Sequence, residues 1–321
     1  MLLAVSQPAD AFRRPRRRPS PRREAIPSQT LVRHDVPRVH VLGTPVKTKG
    51  NLAASLKAHV TFLADSSCAG RGMGTPGATN AAFYISRHFK DCGLAVSVNK
   101  FVVEGSPGRN IIGIRRNPGA SKYVVVMSSY DGLGVLGGNI YPCADANGSG
   151  VAALLELASD RRKHAGKPKN FVYAATDGHH MGMAGAQELV RYLERIGIRT
   201  RDIVMVVNLD TMGANLVPPD DSKQDYIIAL GGLRYRGSME YGNIGLGLSI
   251  TYDYYGSQGF TDMFYRRVSE QKAFLDKGVP CVMFTAGITD NTFKKTDTAE
   301  TLNYPVFARR VELISRWMLR L

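Results

Sequence analysis

Apolar residues follow two different patterns along the chain. In the first, they lie three and four positions apart, a spacing typical of amphipathic helices. This spacing predicts helices over Leu52–Leu63, Gly77–Cys92, Met183–Ile196 and about Val306–Leu319, and a further helix that opens at Asn147-Gly148-Ser149. In the second, short apolar runs rich in β-branched residues lack polar alternation, as strands do when both faces are buried. These predicted strands are Tyr123–Met127, Phe171–Ala175, Ile203–Val207 and Cys281–Phe284.

The order of these elements predicts the fold class. Strands that alternate with helices predict an α/β fold, a three-layer α/β/α sandwich around a mixed but mainly parallel sheet. We expect a single domain over residues 49–321. In such a sheet, ligands bind beyond the carboxyl ends of the strands. The candidate chemistry therefore lies in the loops that begin at Ser128, Thr176, Asn208 and Thr285.

The first 48 residues differ from the rest in charge and proline content. The formal net charge of the chain is +15, and residues 1–40 hold nine Arg against three acidic residues. Seven of the 16 prolines precede residue 46. A segment of this composition buries too little apolar surface to fold, so we predict a disordered basic extension over residues 1–48. Residues 1–11 leave two interpretations open, the remnant of a signal peptide or a tail without that role.

Composition and charge also narrow the function classes. No apolar run reaches the ~18 residues that cross a bilayer, so no transmembrane segment is expected. The four Cys form no CxxC pair, which excludes a zinc ribbon and a disulfide-framed miniprotein. The densest positive charge lies in a tail and not on a folded face, which disfavours nucleic acid as a partner. An anionic surface polymer remains a partner for that tail.

Eight short motifs follow one another between residues 52 and 318. They are AGRGMGTPG (69–77), NIIG (110–113), SYD (129–131), DANGSG (145–150), TDGHHMG (176–182), NLDTMG (208–213), SEQKAF (269–274) and GITDNTFKKTDT (287–298). The ordered set resembles the two-zinc aminopeptidase family, which includes bacterial leucyl-type aminopeptidases, glutaminyl cyclases, glutamate carboxypeptidase and the transferrin receptor. The resemblance implies a zinc-exopeptidase fold and a secreted or periplasmic protein.

The resemblance also implies a set of metal-site positions. In the family, a His, a bridging Asp, a Glu, an Asp and a late His hold two zinc ions, and a further Glu is the general base. In this sequence, the corresponding residues are Ser129 (first His), Ala146 (bridging Asp), His179 (general base), His180 (Glu ligand), Asp210 (Asp ligand) and Phe293 (late His).

These substitutions predict a degenerate metal site. Two Zn²⁺ ions bring four positive charges and need imidazole or carboxylate ligands, but three of the five ligand positions lack them. Asp131 matches a residue that orients the first His, which is absent here. Asp145 neighbours Ala146, but we expect its side chain to point elsewhere. We therefore expect no metal and no catalytic residue; if a zinc ion binds, its ligands are His180 and Asp210.

Three functional hypotheses follow. The first is a pseudo-peptidase, a homologue that has lost two-zinc hydrolysis and binds or scaffolds a protein or peptide without a cofactor. The second is an active zinc-dependent exopeptidase with a single-metal site, in which His179 is the only candidate base. The third is a cell-surface adhesive protein that its basic tail anchors to anionic polymer.

Overall fold

A computed structural model of the chain describes residues 51–162, 168–215, 218 and 223–321. The basic extension predicted over residues 1–48, the signal-peptide interpretation of residues 1–11 and the domain start at residue 49 all lie outside these ranges. Within the described ranges, no helix combines the length and the apolar character needed to span a bilayer.

The strands form one large sheet and one small hairpin. They are β1 (Ala95–Val103), β2 (Ser106–Arg115), β3 (Tyr123–Ser129), β4 (Val135–Leu136), β5 (Asn139–Ile140), β6 (Asn170–Thr176), β7 (Ile203–Leu209), β8 (Tyr226–Leu230), β9 (Ser249–Thr251) and β10 (Cys281–Thr285). The sheet has the order β1-β2-β6-β3-β7-β10-β8-β9, and β4 pairs only with β5. Its centre, β6-β3-β7-β10, is parallel, whereas β2 and β8 run antiparallel to it. The predicted α/β fold with a mixed central sheet is confirmed.

Helices cover both faces of the sheet. They are α1 (Leu52–Ala64), α2 (Pro76–Asp91), α3 (Gly150–Ser159), α4 (Ala184–Arg195), α5 (Arg236–Gly242), α6 (Gln258–Arg266), α7 (Lys272–Leu275) and α8 (Tyr304–Met318). One apolar core joins α1, α2, α3 and α8 to the first face, and a second core joins α4 and α7 to the other. Strand β3 supplies both cores, since Val124 and Val126 enter the first while Val125 and Met127 enter the second.

The predicted helices and strands are confirmed with small shifts at their ends, and one start is corrected. The helix expected to open at Asn147 begins at Gly150, because residues 144–149 form a kinked turn in which Ala146 and Asn147 have non-helical dihedral angles. The hydrophobic pattern did not predict β1, β2, β4, β5, β8 or β9, nor the short helices α5, α6 and α7. Strand β1 is an edge strand whose residues are mostly exposed or half-buried, so it lacks an apolar run.

Candidate functional site

A pocket of about 240 Å³ lies where β3, β6, β7 and β10 end. It brings together seven of the eight residues that the sequence analysis placed in the cleft: Ser129, Asp131, Ala146, His179, His180, Asp210 and Phe293. Its other wall is apolar and includes Tyr254, Phe264, Val268, Met283 and Ile288. The pocket therefore combines a polar floor, built at the strand ends, with a largely apolar side.

The eighth residue, Asp145, does not line this pocket. Its Oδ1 accepts hydrogen bonds from the Ser149 hydroxyl (2.7 Å) and from the backbone amides of Gly213 (2.8 Å) and Ala214 (3.3 Å). Asp297, on the other side, accepts from the backbone amides of Asp145 (2.8 Å) and Ala146 (3.1 Å). The Asp145 carboxylate thus stabilises the loop through internal hydrogen bonds. The neighbouring side chain that lines the pocket is the methyl group of Ala146.

Asn147 joins the strand ends beneath the pocket. Its side-chain amide donates to the Ser128 hydroxyl (2.9 Å), the Ser129 hydroxyl (3.3 Å) and the Leu209 carbonyl (3.0 Å). Its side-chain oxygen accepts from the backbone amides of Gly150 (3.2 Å) and Thr211 (3.0 Å). One buried side chain therefore links the end of β3, the end of β7 and the start of α3.

Asp131 holds the turn that follows β6. Its two carboxylate oxygens accept from the backbone amides of His179 (3.0 Å) and His180 (3.5 Å), which sets the position of both histidines. Burial, together with the nearby charge of Asp177, raises the pKa of Asp131 to about 7. The resemblance assigned Asp131 to orienting a zinc-binding His. In the structure, Asp131 instead orients the turn that carries His179 and His180.

The strongest polar contact in the pocket joins His179 to Glu270, a residue that the sequence analysis did not single out. The distance from His179 Nδ1 to Glu270 Oε1 is 2.5 Å, and Glu270 is only 1% exposed. The Glu270 charge raises the pKa of His179 to about 10 against the opposing effect of burial. Burial by itself would raise the pKa of Glu270, but the charge and hydrogen bond of His179 outweigh it and the pKa falls below its usual value.

His180 and Asp210 occupy the two positions where a donor atom remains. Burial and the neighbouring charge of His179 lower the pKa of His180 to about 4, so its ring is neutral at pH 7. That ring meets the Phe293 ring edge-on, with 5.8 Å between centroids. Burial, then the charge of Glu270, raises the pKa of Asp210 to about 7.

These side chains do not fit the two zinc ions that the resemblance implies. The residue that the resemblance assigns to the bridging Asp offers the methyl group of Ala146, and the one that it assigns to the late His offers the ring of Phe293; both line the pocket. Across the described residues, no group of three His, Cys, Asp or Glu side chains is arranged to hold a metal ion. A catalytic zinc site needs three protein ligands, which His180 and Asp210 alone do not supply. The positive charge that faces Asp210 and Glu270 is instead the His179 imidazolium.

The His179–Glu270 pair predicts a pH dependence of stability. A His pKa that folding raises gives stabilisation that is complete below the unfolded pKa of about 6.5 and is lost as pH rises through the folded value. We expect the free energy of unfolding to fall by on the order of 2 kcal/mol between about pH 7 and 9. Asp131 and Asp210, whose pKa values burial raises to about 7, lose their remaining protons at the lower end of this window, and the thiols, whose pKa values folding also raises, lower the stability further towards pH 9. The part due to His179 is therefore the difference between the wild-type protein and a variant that lacks this group.

Urea unfolding at several pH values measures this slope. His179→Gln, which removes the titrating imidazole, should reduce the fall over the same window by on the order of 2 kcal/mol and leave the part that the carboxyls and thiols contribute. An equal slope in the wild-type protein and the variant would show that another group is responsible.

The sequence matches a known protein family. The family model "Peptidase family M28" matches residues 110–318, more than half of the chain. A search of the curated proteins gives no significant match.

Solved structures share the fold. The zinc aminopeptidase BSAP from Bacillus subtilis is 13% identical, with a TM-score of 0.67 over 83% of this chain and 94% of that protein. The glutaminyl cyclase of Fimbriiglobus ruber is 15% identical, with a TM-score of 0.67 over 85% and 97% of the two chains. The glutaminyl cyclase of Porphyromonas gingivalis is 18% identical, with a TM-score of 0.61 over 83% and 97%.

Proposed function

The chain belongs to peptidase family M28, and from that premise we propose that it is a pseudo-peptidase, a binding or scaffold protein of the family that has lost two-zinc hydrolysis. Its ligand is a peptide or a segment of a protein. The contact between His179 and Glu270 supports the proposal, because it engages the side chain that the resemblance assigns to the family's general-base position.

A general base must accept a proton from the attacking water near neutral pH. The Nδ1 atom of His179 holds its proton against the buried carboxylate of Glu270 at 2.5 Å. An imidazolium in such an ion pair is an acid, and it has no free lone pair to offer to water. The His179 side chain therefore balances the negative charge of Glu270 and does not activate a water molecule.

The charge of the pocket supports the same proposal. Two zinc ions about 3.5–4 Å apart need carboxylates between and around them. Ala146 supplies none, and the negative charge of Glu270 is already compensated by His179. A zinc ion placed beside His180 would meet the like charge of the imidazolium, whose ring centroid lies 5.0 Å from the His180 ring. At this separation, and with partial screening, the repulsion amounts to several kcal/mol.

Metal content and hydrolysis test this proposal. We expect protein purified without chelators to contain far less than one zinc per chain, and its melting temperature to be the same with and without EDTA. We also expect no release of amino acids from unblocked peptides in the presence of added zinc. About one tightly bound zinc per chain, together with peptide hydrolysis, would contradict the proposal.

The same measurement tests the single-metal exopeptidase hypothesis. The neutral ring of His180 and the carboxylate of Asp210 favour it, since neither side chain makes a hydrogen bond within the described residues. If zinc is found, His180→Ala should remove it, whereas His88→Ala, which replaces a buried His on α2 away from the pocket, should leave it bound.

The cellular location of the protein and its attachment to anionic polymer are two further proposals. We propose a secreted or periplasmic protein on the basis of the family, and anchoring to anionic polymer through residues 1–48 on the basis of their arginine content. Deleting these residues should sharply weaken retention on heparin at low salt if the second proposal holds. Unchanged retention would contradict it.

A further inference from the structure

Exposed apolar side chains concentrate around the mouth of the pocket. Val268, Ile288 and Phe293 line the pocket and yet are 41%, 45% and 50% exposed. Phe260 is exposed beside them and contacts Tyr254 of the apolar wall, with 6.2 Å between ring centroids. The apolar wall therefore continues out of the pocket onto the surface.

A second apolar group lies next to this rim. The β4–β5 hairpin exposes Val135, Leu136 and Ile140. The Lys295 ammonium donates to the side-chain oxygen of Asn139 at 3.4 Å, which places the hairpin beside residues 288–296, here called the rim loop. Half of the 14 large apolar side chains exposed in the described residues thus belong to the rim or this hairpin. Contiguous exposed apolar surface of this kind marks an interaction site more often than isolated residues do.

Positive charge accompanies the apolar rim. Arg267 precedes Val268 and Lys294 follows Phe293, and both cations are exposed without an ion-pair partner among the described residues. The neighbouring Arg266 is already paired with Asp262 at 3.4 Å. Asp290 is the only acidic residue of the rim loop, which also carries Lys294 and Lys295, so the charge that faces a ligand at the mouth is positive.

We infer that the pocket mouth is a docking surface for a peptide segment in which a large apolar residue is flanked by acidic residues. The apolar side chain enters the pocket against the wall formed by Tyr254 and Phe264, whose rings stack at 4.4 Å. The acidic flanks meet Arg267 and Lys294. Recognition uses side chains, so neither a free amino terminus nor a free carboxyl terminus of the ligand is needed. This inference rests on the proposed binding function and names its ligand class.

Fluorescence anisotropy with a blocked peptide tests the inference. The probe is Asp-Glu-Phe-Leu-Glu-Asp-amide with carboxyfluorescein coupled to its amino terminus, so both chain ends are blocked, and it is added to the full chain. We expect saturable binding that weakens roughly tenfold or more when Lys replaces the acidic residues of the probe, and also when Ser replaces Phe and Leu. We expect laurate, an acid with an apolar chain but no peptide, to compete poorly with the probe.

Matched variants locate the binding surface. The double variant Arg267→Glu/Lys294→Glu should weaken binding by roughly tenfold or more, whereas Arg87→Glu/Lys100→Glu makes the same charge change at exposed positions of α2 and β1 and should leave it unchanged. Phe293→Asn should also weaken binding without unfolding the protein, because Phe293 is exposed and has a φ of +61° that Asn adopts readily.

Three results would overturn the inference: no binding of the blocked probe up to about 1 mM, equal weakening by both double variants, or laurate competing as strongly as the peptide. Binding of an unblocked peptide alone would show that the site recognises a chain end instead. None of these results changes the zinc content or the hydrolysis assay, so failure of this inference is distinguishable from failure of the proposed function.

Discussion

Replacing His179 with Ala is expected to destabilise the protein by about 3 kcal/mol at pH 7. The substitution leaves Glu270 buried beside Asp210 without its counter-charge. Its second oxygen, Oε2, has no hydrogen-bond partner within the described residues, and His179 is the one side chain there that donates to the carboxylate. Removing one partner of a buried ion pair is more damaging than removing both, because an unpaired buried charge remains. Urea unfolding at pH 7 measures the effect.

A double-mutant cycle separates the ion pair from simple loss of packing. Glu270→Gln keeps the shape of the side chain and removes its charge, so His179→Ala in that background should cost about 1 kcal/mol or less. We expect a coupling free energy of about 2 kcal/mol between the two positions. If His179→Ala is equally destabilising in both backgrounds, the ion pair does not stabilise the pocket and the argument against a general base at this position loses its support.

The centre of the fold could be predicted because both faces of each central strand are buried. Strand β3 sends alternate side chains into two different apolar cores, so its sequence shows an unbroken apolar run that stands out from its surroundings. Strand β1 lies at the sheet edge, where Val98 and Val102 are exposed and the one buried side chain is the polar Asn99, so its apolar residues do not mark a buried face. A pattern method that depends on burial detects the first kind of strand and misses the second.

The sequence predicted the site residues that lie within recognisable motifs, but not the contacts between distant loops. Carrying the family's positions onto the sequence identified the loops that meet in the pocket, including Ala146 and Phe293. The partner of His179 lies 91 residues away in the turn before α7, and no local spacing relates the two. The one available signal was SEQKAF, whose second residue is Glu270.

The missing contact changes the charge balance that the sequence suggested. The sequence analysis counted Asp210 as the one carboxylate left at the family's ligand and base positions. The structure adds Glu270 and Asp131 close by, so the pocket is not poor in carboxylates. What distinguishes it is that the imidazolium of His179 pairs with Glu270 and also counteracts the rise in the pKa of Asp210 that burial causes, so the chain itself balances part of this negative charge.

Replacing Asn147 with Ala is expected to have an effect at least as large, about 3–5 kcal/mol of unfolding free energy. Five hydrogen bonds end on this side chain, and three of them go to backbone groups of Gly150, Leu209 and Thr211 that are buried at the base of the pocket. A methyl group removes all five; the Gly150 amide keeps its bond to the Asn147 carbonyl, whereas the Leu209 carbonyl and the Thr211 amide lose this partner. A Cβ on the adjacent Gly150 would lie 2.5 Å from the Leu209 carbonyl oxygen, which shows how closely α3 approaches β7.

Ser129→Ala is the matched control, because it removes a hydroxyl in the same pocket that receives only the longest of these hydrogen bonds, at 3.3 Å. We expect it to cost less than about 1 kcal/mol, since the Asn147 amide keeps its other acceptors. The comparison decides what the strand-end residues do in this chain. If Asn147→Ala is far more destabilising than Ser129→Ala, the turn at Asn147 holds the strand ends together. The residue that the resemblance assigns to the first His ligand, Ser129, then contributes little to stability. Equal losses from the two variants would instead mean that Ser129 has acquired a structural role of its own.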